Sequence, residues 1–379
     1  MKGLSFPKAV FVLLTFLSLH PGFAQNSTLS EKAAVSIITC GLGNETYSYF
    51  GHTAIRVRDI KNDIDIVFNY GAFDFRTSNF VMKFAKGDLQ YFAVAHPYTE
   101  FLKIYVYEQR SVFEQKLDLN LDVKQKIFDN LNNTLLSENR YYTYKFIDKN
   151  CTSMVVEVIN KSLNENVIAK KTDTDKTYRT ILFPYFDGHF YEKLGTSIIF
   201  GTKVDQLGTK IFLPFELKNS LEKTIYKNHP LAKESKTILS FKKETPASWW
   251  NNVFSYLILL VCIVLINKRF VDKLYLFILS LMGMFFVTVG FYSFHQELAM
   301  NYNILLFSPL LLILIILSAM NNKKATYQFA ILHLILLIFY TLFLINKAHF
   351  FIVLPIIITT AIVLVRVAIR NKKRIPIII

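Results

Sequence analysis

The chain has 379 residues, of which 52% are hydrophobic, and 43 basic residues against 28 acidic ones leave a formal charge of +15. That length accommodates two units, and many charges beside high apolar content imply a polar part joined to a very apolar one. No basic stripe interleaved with aromatics is present, and many basic residues flank apolar runs, so the charge points to a membrane and away from nucleic acid.

Residues 1–25 read as a secretory signal. Lys2 and Lys8 form a basic start, Ala9 to Leu19 an apolar stretch, and Gly22-Phe23-Ala24-Gln25 a small-residue cleavage region. Residues 26–247 read as an exported α+β domain. Ala33 to Cys40 is expected as a strand, followed by the glycine-bearing loop Gly41 to Thr46. His52 to Asp59 and Asp65 to Tyr70 form a predicted hairpin around Lys61-Asn62-Asp63. An amphipathic helix carrying Phe80 and Phe84 follows, then strands at Tyr91 to Ala95 and Leu102 to Tyr107, then a helix from Leu119 to Leu136. A further helix opens at Cys151 and ends near Asn164, with Thr152 or Ser153 as its cap. Asp173 with Asp175, and Asp187-Gly188-His189, read as solvated turns, so no metal and no other cofactor is expected. Phe212-Leu213-Pro214-Phe215 is an apolar plug, and Lys218 to Thr245 reads as a polar connection to the membrane part.

Residues 248–379 read as an all-α membrane domain of five spans: Trp249 to Ile266, Leu274 to Phe294, Ile304 to Met320, Phe329 to Ile345 and Phe350 to Val365. Lys268, Arg269 and Lys273 follow the first span, Lys323 and Lys324 the third, and Arg366, Arg370, Lys372, Lys373 and Arg374 end the fifth. Positive charges prefer the cytoplasmic side. This places the charged loops and the C-terminus in the cytoplasm and the exported domain on the other side of the membrane. His333 falls within the fourth span, where an ionisable group is either functional or a neutral partner of a neighbouring helix.

Three cysteines occur, Cys40, Cys151 and Cys262, and free thiols are expected in preference to a Cys40–Cys151 pair. Cys151 at a helix N-terminus is a candidate nucleophile, because orphan N–H groups and the helix dipole there stabilise a thiolate. Taken alone, it reads more readily as a small buried apolar residue, and only the pairing with a histidine motif shifts that reading. A thiolate also needs a base, and His52 at a strand start, in Phe50-Gly51-His52-Thr53, is the candidate. Asn69 on the next strand is nominated to orient that imidazole, with Asp74 as the alternative. Tyr144, Asp148 and Asn150 flank the nucleophile, and Asp148 reads as turn-shaping. Tyr144 and Asn150 are candidate substrate contacts. So is His295, which with Glu297, Asn301 and Asn303 lies in an outer loop under the soluble domain.

Gly51-His52 before a strand and Asn150-Cys151 opening a helix resemble the circularly permuted papain-like enzymes, which include NlpC-type relatives and lecithin:retinol acyltransferase. The larger set is more closely similar to the Lnb family of bacterial lipoprotein N-acyltransferases. That set comprises Phe50-Gly51-His52-Thr53, Asn69-Tyr70-Gly71, Tyr142-Thr143-Tyr144, Asn150-Cys151-Thr152, Phe212-Leu213-Pro214 and the outer loop before Leu305 to Leu310. The resemblance implies acyl transfer from a phospholipid to the N-terminal amine of a lipoprotein through a Cys151 thioester. Two competing readings are a membrane-tethered cysteine peptidase or amidase acting on the cell wall, and a non-enzymatic sensor. One tether would serve the former. Spans almost free of charge argue against a transporting form of the latter.

Overall fold

A computed structural model describes residues 28–242 and 248–372, so the signal segment and the last basic residues, Lys373 and Arg374, lie outside the described residues. The N-terminal region holds strands β1 (Ala34–Cys40), β2 (His52–Asp59) and β3 (Ile64–Ala72), then helix α1 (Phe80–Lys86). Strand β4 (Gln90–Pro97), helix α2 (Tyr98–Tyr107), strand β5 (Val112–Lys116), helix α3 (Leu121–Leu136) and strand β6 (Tyr141–Thr143) follow. Helices α4 (Cys151–Leu163), α5 (Tyr178–Leu182), α6 (Phe190–Ile199) and α7 (Pro214–Leu221) come next. A two-residue ladder of β7 (Ile225–Tyr226) and β8 (His229–Pro230) precedes the last strand, β9 (Lys236–Leu239). The main sheet is antiparallel in the order β6-β4-β3-β2-β1-β5-β9.

Alternation along the strands explains the layering, because neighbouring side chains point to opposite faces. Ile37, Ile55 and Phe68 join Ile127, Leu131, Val155, Ile159 and Leu217 under α3, α4 and α7. Ile38, Ala54 and Val67 instead meet Phe101 and Tyr105 of α2 on the other face. The expected hairpin forms, with Asp63 in the left-handed region at φ 54° closing its turn.

Two expectations are corrected. Leu102 to Tyr107 is helical: its β-branched apolar run reads as a strand, but Phe101 and Tyr105, one helical turn apart, bury together. The stretch from Lys218 to Thr245 is not merely a connection, since it contributes the end of α7 and edge strand β9, which pairs with β5.

The C-terminal region is helical: α8 (Val253–Ile266), α9 (Arg269–Tyr292), α10 (Leu311–Ala319), α11 (Lys323–Leu344) and α12 (Phe350–Asn371). Among the described residues, α9, α11 and α12 are long and apolar enough to cross a membrane. At 1.5 Å per residue the 24 residues of α9 reach about 36 Å, whereas the nine of α10 reach only about 14 Å. The third apolar run is therefore not one continuous helix. Its first half is a short 3-10 turn and an irregular passage, in which Leu306 and Phe307 are buried and Ser280 of α9 donates to the Pro309 carbonyl. Non-helical backbone at membrane depth is tolerated where protein covers it. The helices are tied at the end away from the soluble region by buried Asp272 of α9, which pairs with Arg370 at 2.6 Å and Arg366 at 3.5 Å on α12.

Candidate active site

Local sequence places Cys151 at the head of α4. Asn150 is the N-cap: its Oδ1 accepts from the Thr152 and Ser153 N–H groups at 3.0 Å, and Ser153 Oγ accepts from the Asn150 N–H at 2.8 Å. The expected cap, Thr152 or Ser153, is corrected to Asn150, because extended φ and ψ of −130° and −174° put its carboxamide over the first turn. Its Nδ2 donates to the Phe146 and Phe212 carbonyls at 2.7 and 2.8 Å. Asn150 thus clamps the turn before the nucleophile to the apolar plug, and both ends of its carboxamide are committed to the fold.

Sheet register brings the remaining groups to the helix. Thr53 of β2 lies 3.0 Å from Thr152 of α4, hydroxyl to hydroxyl, which fixes the strand start beside the helix start. His52 lines the same cleft as Cys151. His52 Nε2 also lies 3.2 Å from Asn69 Oδ1, while Asn69 Nδ2 donates to the Val67 carbonyl at 3.3 Å. That orientation makes Oδ1 the acceptor, selects the Nε2–H tautomer and leaves Nδ1 for the thiol. Asp74, the alternative orienter, pairs instead with Arg76 at 2.9 Å.

Two opposing effects set the charge of the thiol. Burial raises its pKa, but the charge and hydrogen bond of His52, the Thr53 N–H and the Thr152 hydroxyl outweigh burial and hold Cys151 below the ordinary thiol value. Cys40, opposite His52 in the β1–β2 register, shows the contrast: burial pushes it up to about 12. Both cysteines are free thiols.

A register shift in the β3–β4 ladder puts Gly71 against the nucleophile, at a φ of +99° that favours glycine. A Cβ there would lie 3.8 Å from Cys151 Cβ and 3.9 Å from the Tyr142 hydroxyl. Among the described residues that buried hydroxyl has no hydrogen-bond partner. In the sequence Tyr142 stands out only as part of the motif Tyr142-Thr143-Tyr144, with alternation with Tyr144 on a short strand as its sole further signal.

Cys151 and His52 line a cleft of about 430 Å³ whose other walls are mainly aromatic, among them Phe73, Phe80, Phe84 and Tyr144. Tyr144 stacks on Tyr91 with ring centroids 4.5 Å apart. A cavity of about 490 Å³ beside Phe113, Tyr185 and Phe215 is larger but contains neither Cys151 nor His52. His295 is not in the cleft: its Nε2 meets the Phe84 carbonyl at 2.9 Å, behind the cleft wall. His333 bonds the Phe329 carbonyl of its own helix at 2.8 Å.

The loop before Cys151 rests on the loop between α9 and α10. Lys145 Nζ donates to the Phe294 carbonyl at 3.0 Å, and the Ile147 N–H to buried Glu297 Oε1 at 3.3 Å. Asp148 pairs with Lys203 and Lys210; burial works against its charge, but those two lysines hold the carboxyl below the usual range. Among the described residues no cluster of His, Cys, Asp or Glu has a metal-binding arrangement.

A cysteine at a helix start, a histidine at a strand start and an asparagine behind it are the groups that thiol-nucleophile chemistry requires. Residues 22–183 match the family model of the Lnb N-terminal periplasmic domain, the family that the motifs of this chain resemble. Helices long and apolar enough to cross a membrane follow this Lnb-like N-terminal region. No curated protein and no solved structure matches the chain.

Proposed function

We propose that the protein is an acyltransferase that moves a fatty acyl chain from a phospholipid to the N-terminal amine of bacterial lipoproteins, with Cys151 as nucleophile, His52 as base and Asn69 as orienting group. The observation that carries this reading is the Cys151–His52–Asn69 chain set in an aromatic cleft that leans on a membrane helix. The Cys151 thiolate attacks the ester carbonyl carbon. The C–O bond breaks, and the departing lysophospholipid oxygen takes a proton from His52. The substrate amine then attacks the thioester carbon and gives its proton to His52. The C–S bond breaks, an amide forms and the thiolate returns.

The Cys151 N–H and the unpartnered Tyr142 hydroxyl serve the oxyanion in each step. The apolar cleft keeps water scarce, which favours transfer over hydrolysis. Asn150 holds the nucleophile turn, Tyr144 shapes the substrate side, and His295 backs the cleft wall through the Phe84 carbonyl. In this reading residues 26–247 form a periplasmic permuted papain-like domain and residues 248–379 a five-span domain in the inner membrane. Irregular backbone before α10 gives the third crossing its remaining length.

Incubating the protein with donor phospholipid alone should add one acyl mass to Cys151, labile to hydroxylamine at neutral pH and discharged by an acceptor bearing a free N-terminal amine. Cys151→Ser and His52→Ala should abolish it while the protein still accumulates. Acylation of the acceptor without any mass on Cys151 would reject the thioester, and cleavage of wall peptides in place of lipid would make the protein a peptidase.

A further inference from the structure

Helix α1 has apolar side chains on more than one side. Phe80 and Phe84 line the Cys151 cleft, while Val81 and Met82 project outward with 73% and 66% of their surface exposed, next to Phe75 at 69%. Large exposed apolar side chains grouped in this way mark a contact surface.

The placement of α1 identifies the contact. Ser293, just past the end of α9, donates its hydroxyl proton to the Ala85 carbonyl at 2.8 Å, and the Phe294 N–H donates to the Lys86 carbonyl at 2.7 Å. Lys86 Nζ also stands 5.7 and 5.4 Å from the ring centroids of Tyr292 and Phe294. A span as long as α9 covers the roughly 30 Å of a bilayer core, so its last turn lies at the membrane boundary. There Phe291, Tyr292 and Phe294 are themselves exposed. The exposed side chains of α1 continue this surface. The helix has no acidic residue in its first turn and carries Lys83 and Lys86 in its last; Lys86 is paired with Asp88 at 2.6 Å, which leaves Lys83 as the cation of an interfacial helix facing anionic head groups. Phe75 and Phe84 belong to both the exposed surface and the cleft lining, so the two are continuous.

We propose that α1 is seated in the outer leaflet and forms a lateral portal, through which a lipid acyl chain passes from the bilayer to Cys151 without crossing water. What passes through rests on the acyl-transfer reading; where α1 sits does not. In the full chain with Cys40, Cys151 and Cys262 replaced by serine, a nitroxide at Met82→Cys should be relaxed more by oxygen than by a water-soluble nickel chelate. The measurement is made in phosphatidylglycerol–phosphatidylethanolamine vesicles. A label at Glu138→Cys, an exposed position, should show the reverse. Nickel-accessible Met82 would overturn the placement.

In the chain with native cysteines, Val81→Glu with Met82→Glu should lower Cys151 thioester formation from vesicle lipid at least about tenfold relative to formation from a soluble butyrate ester. Equal losses with both donors, or no loss with either, would overturn the portal. If the unmodified chain accepts acyl groups from neither donor, the acyl-transfer reading fails and the nitroxide depth alone decides the placement of α1.

Discussion

At the scale of residues, Cys151 and Tyr142 carry opposite kinds of information. Cys151 is held below the ordinary thiol value despite burial, so its thiolate persists above its own lowered pKa and disappears as pH falls through it. Its alkylation by iodoacetamide should therefore remain fast below the pH at which an ordinary thiol near 8.5 slows. His52→Ala removes the opposing charge and hydrogen bond, so the profile should move to higher pH; an unmoved profile would separate His52 from the thiolate. Cys40, pushed up to about 12, should stay unreactive in the folded chain. Tyr142 has a buried hydroxyl with no partner among the described residues, which costs stability and so calls for a functional reason to keep it. Tyr142→Phe should leave the melting temperature unchanged or raised, yet lower the acylation rate by about 10²-fold, the usual effect of removing one oxyanion donor. A loss of melting temperature with an unchanged rate would assign the hydroxyl to the fold.

At the scale of elements, the nucleophile turn is held from three directions. Asn150 caps α4 and grips Phe212, Asp148 is fixed by Lys203 and Lys210, and Glu297 receives the Ile147 N–H from beneath. Glu297→Ala leaves that buried N–H without its acceptor, at a cost of about 1–3 kcal/mol. Amide exchange at residues 145–149 should accelerate, and thioester formation should slow without loss of the α4 fold. Unchanged exchange in that segment would show that the loop between α9 and α10 does not position the turn.

At the scale of the whole molecule, the soluble region and the helical region are joined through backbone contacts as well as side chains. The Gly201 N–H donates to the Glu297 carbonyl at 2.7 Å, and a Cβ on Gly201 would fall 1.9 Å from the Ala299 carbonyl oxygen, so only glycine permits this approach. Arg179, fully buried, pairs with Asp205 at 2.6 Å and also contacts the Tyr302 hydroxyl at 3.3 Å. Tyr302 in turn donates to Asp205 at 2.5 Å, so one buried polar network spans both regions. The cleft is therefore held by the junction of the two regions, with α1 suspended from α9 on one side and the nucleophile turn resting on the loop between α9 and α10 on the other.

Local pattern by itself determined a good deal. Apolar spacing after Cys151 specifies α4, alternation specifies the β2–β3 hairpin, and the C-terminal apolar runs specify helices, because each signal lies within a few residues of what it shapes. The candidate Cys–His–Asn set was legible because its members occupy an element start or an adjacent strand, and their motifs are short. The cap is equally local, since Asn150 directly precedes the helix and Ser153 closes its capping box, but the grip of its Nδ2 on the Phe212 carbonyl, 62 positions away, is not. Leu102 to Tyr107 turned helical when burial of Phe101 and Tyr105 against β1 and β2 overrode β-branched propensity. The third apolar run broke because neighbouring helices cover its backbone. His295 moved behind the cleft, and Tyr142 came beside Cys151, through the bulge at Gly71 and contacts between regions. Such outcomes are energies of residues far apart in the chain, so only the tertiary structure decides them.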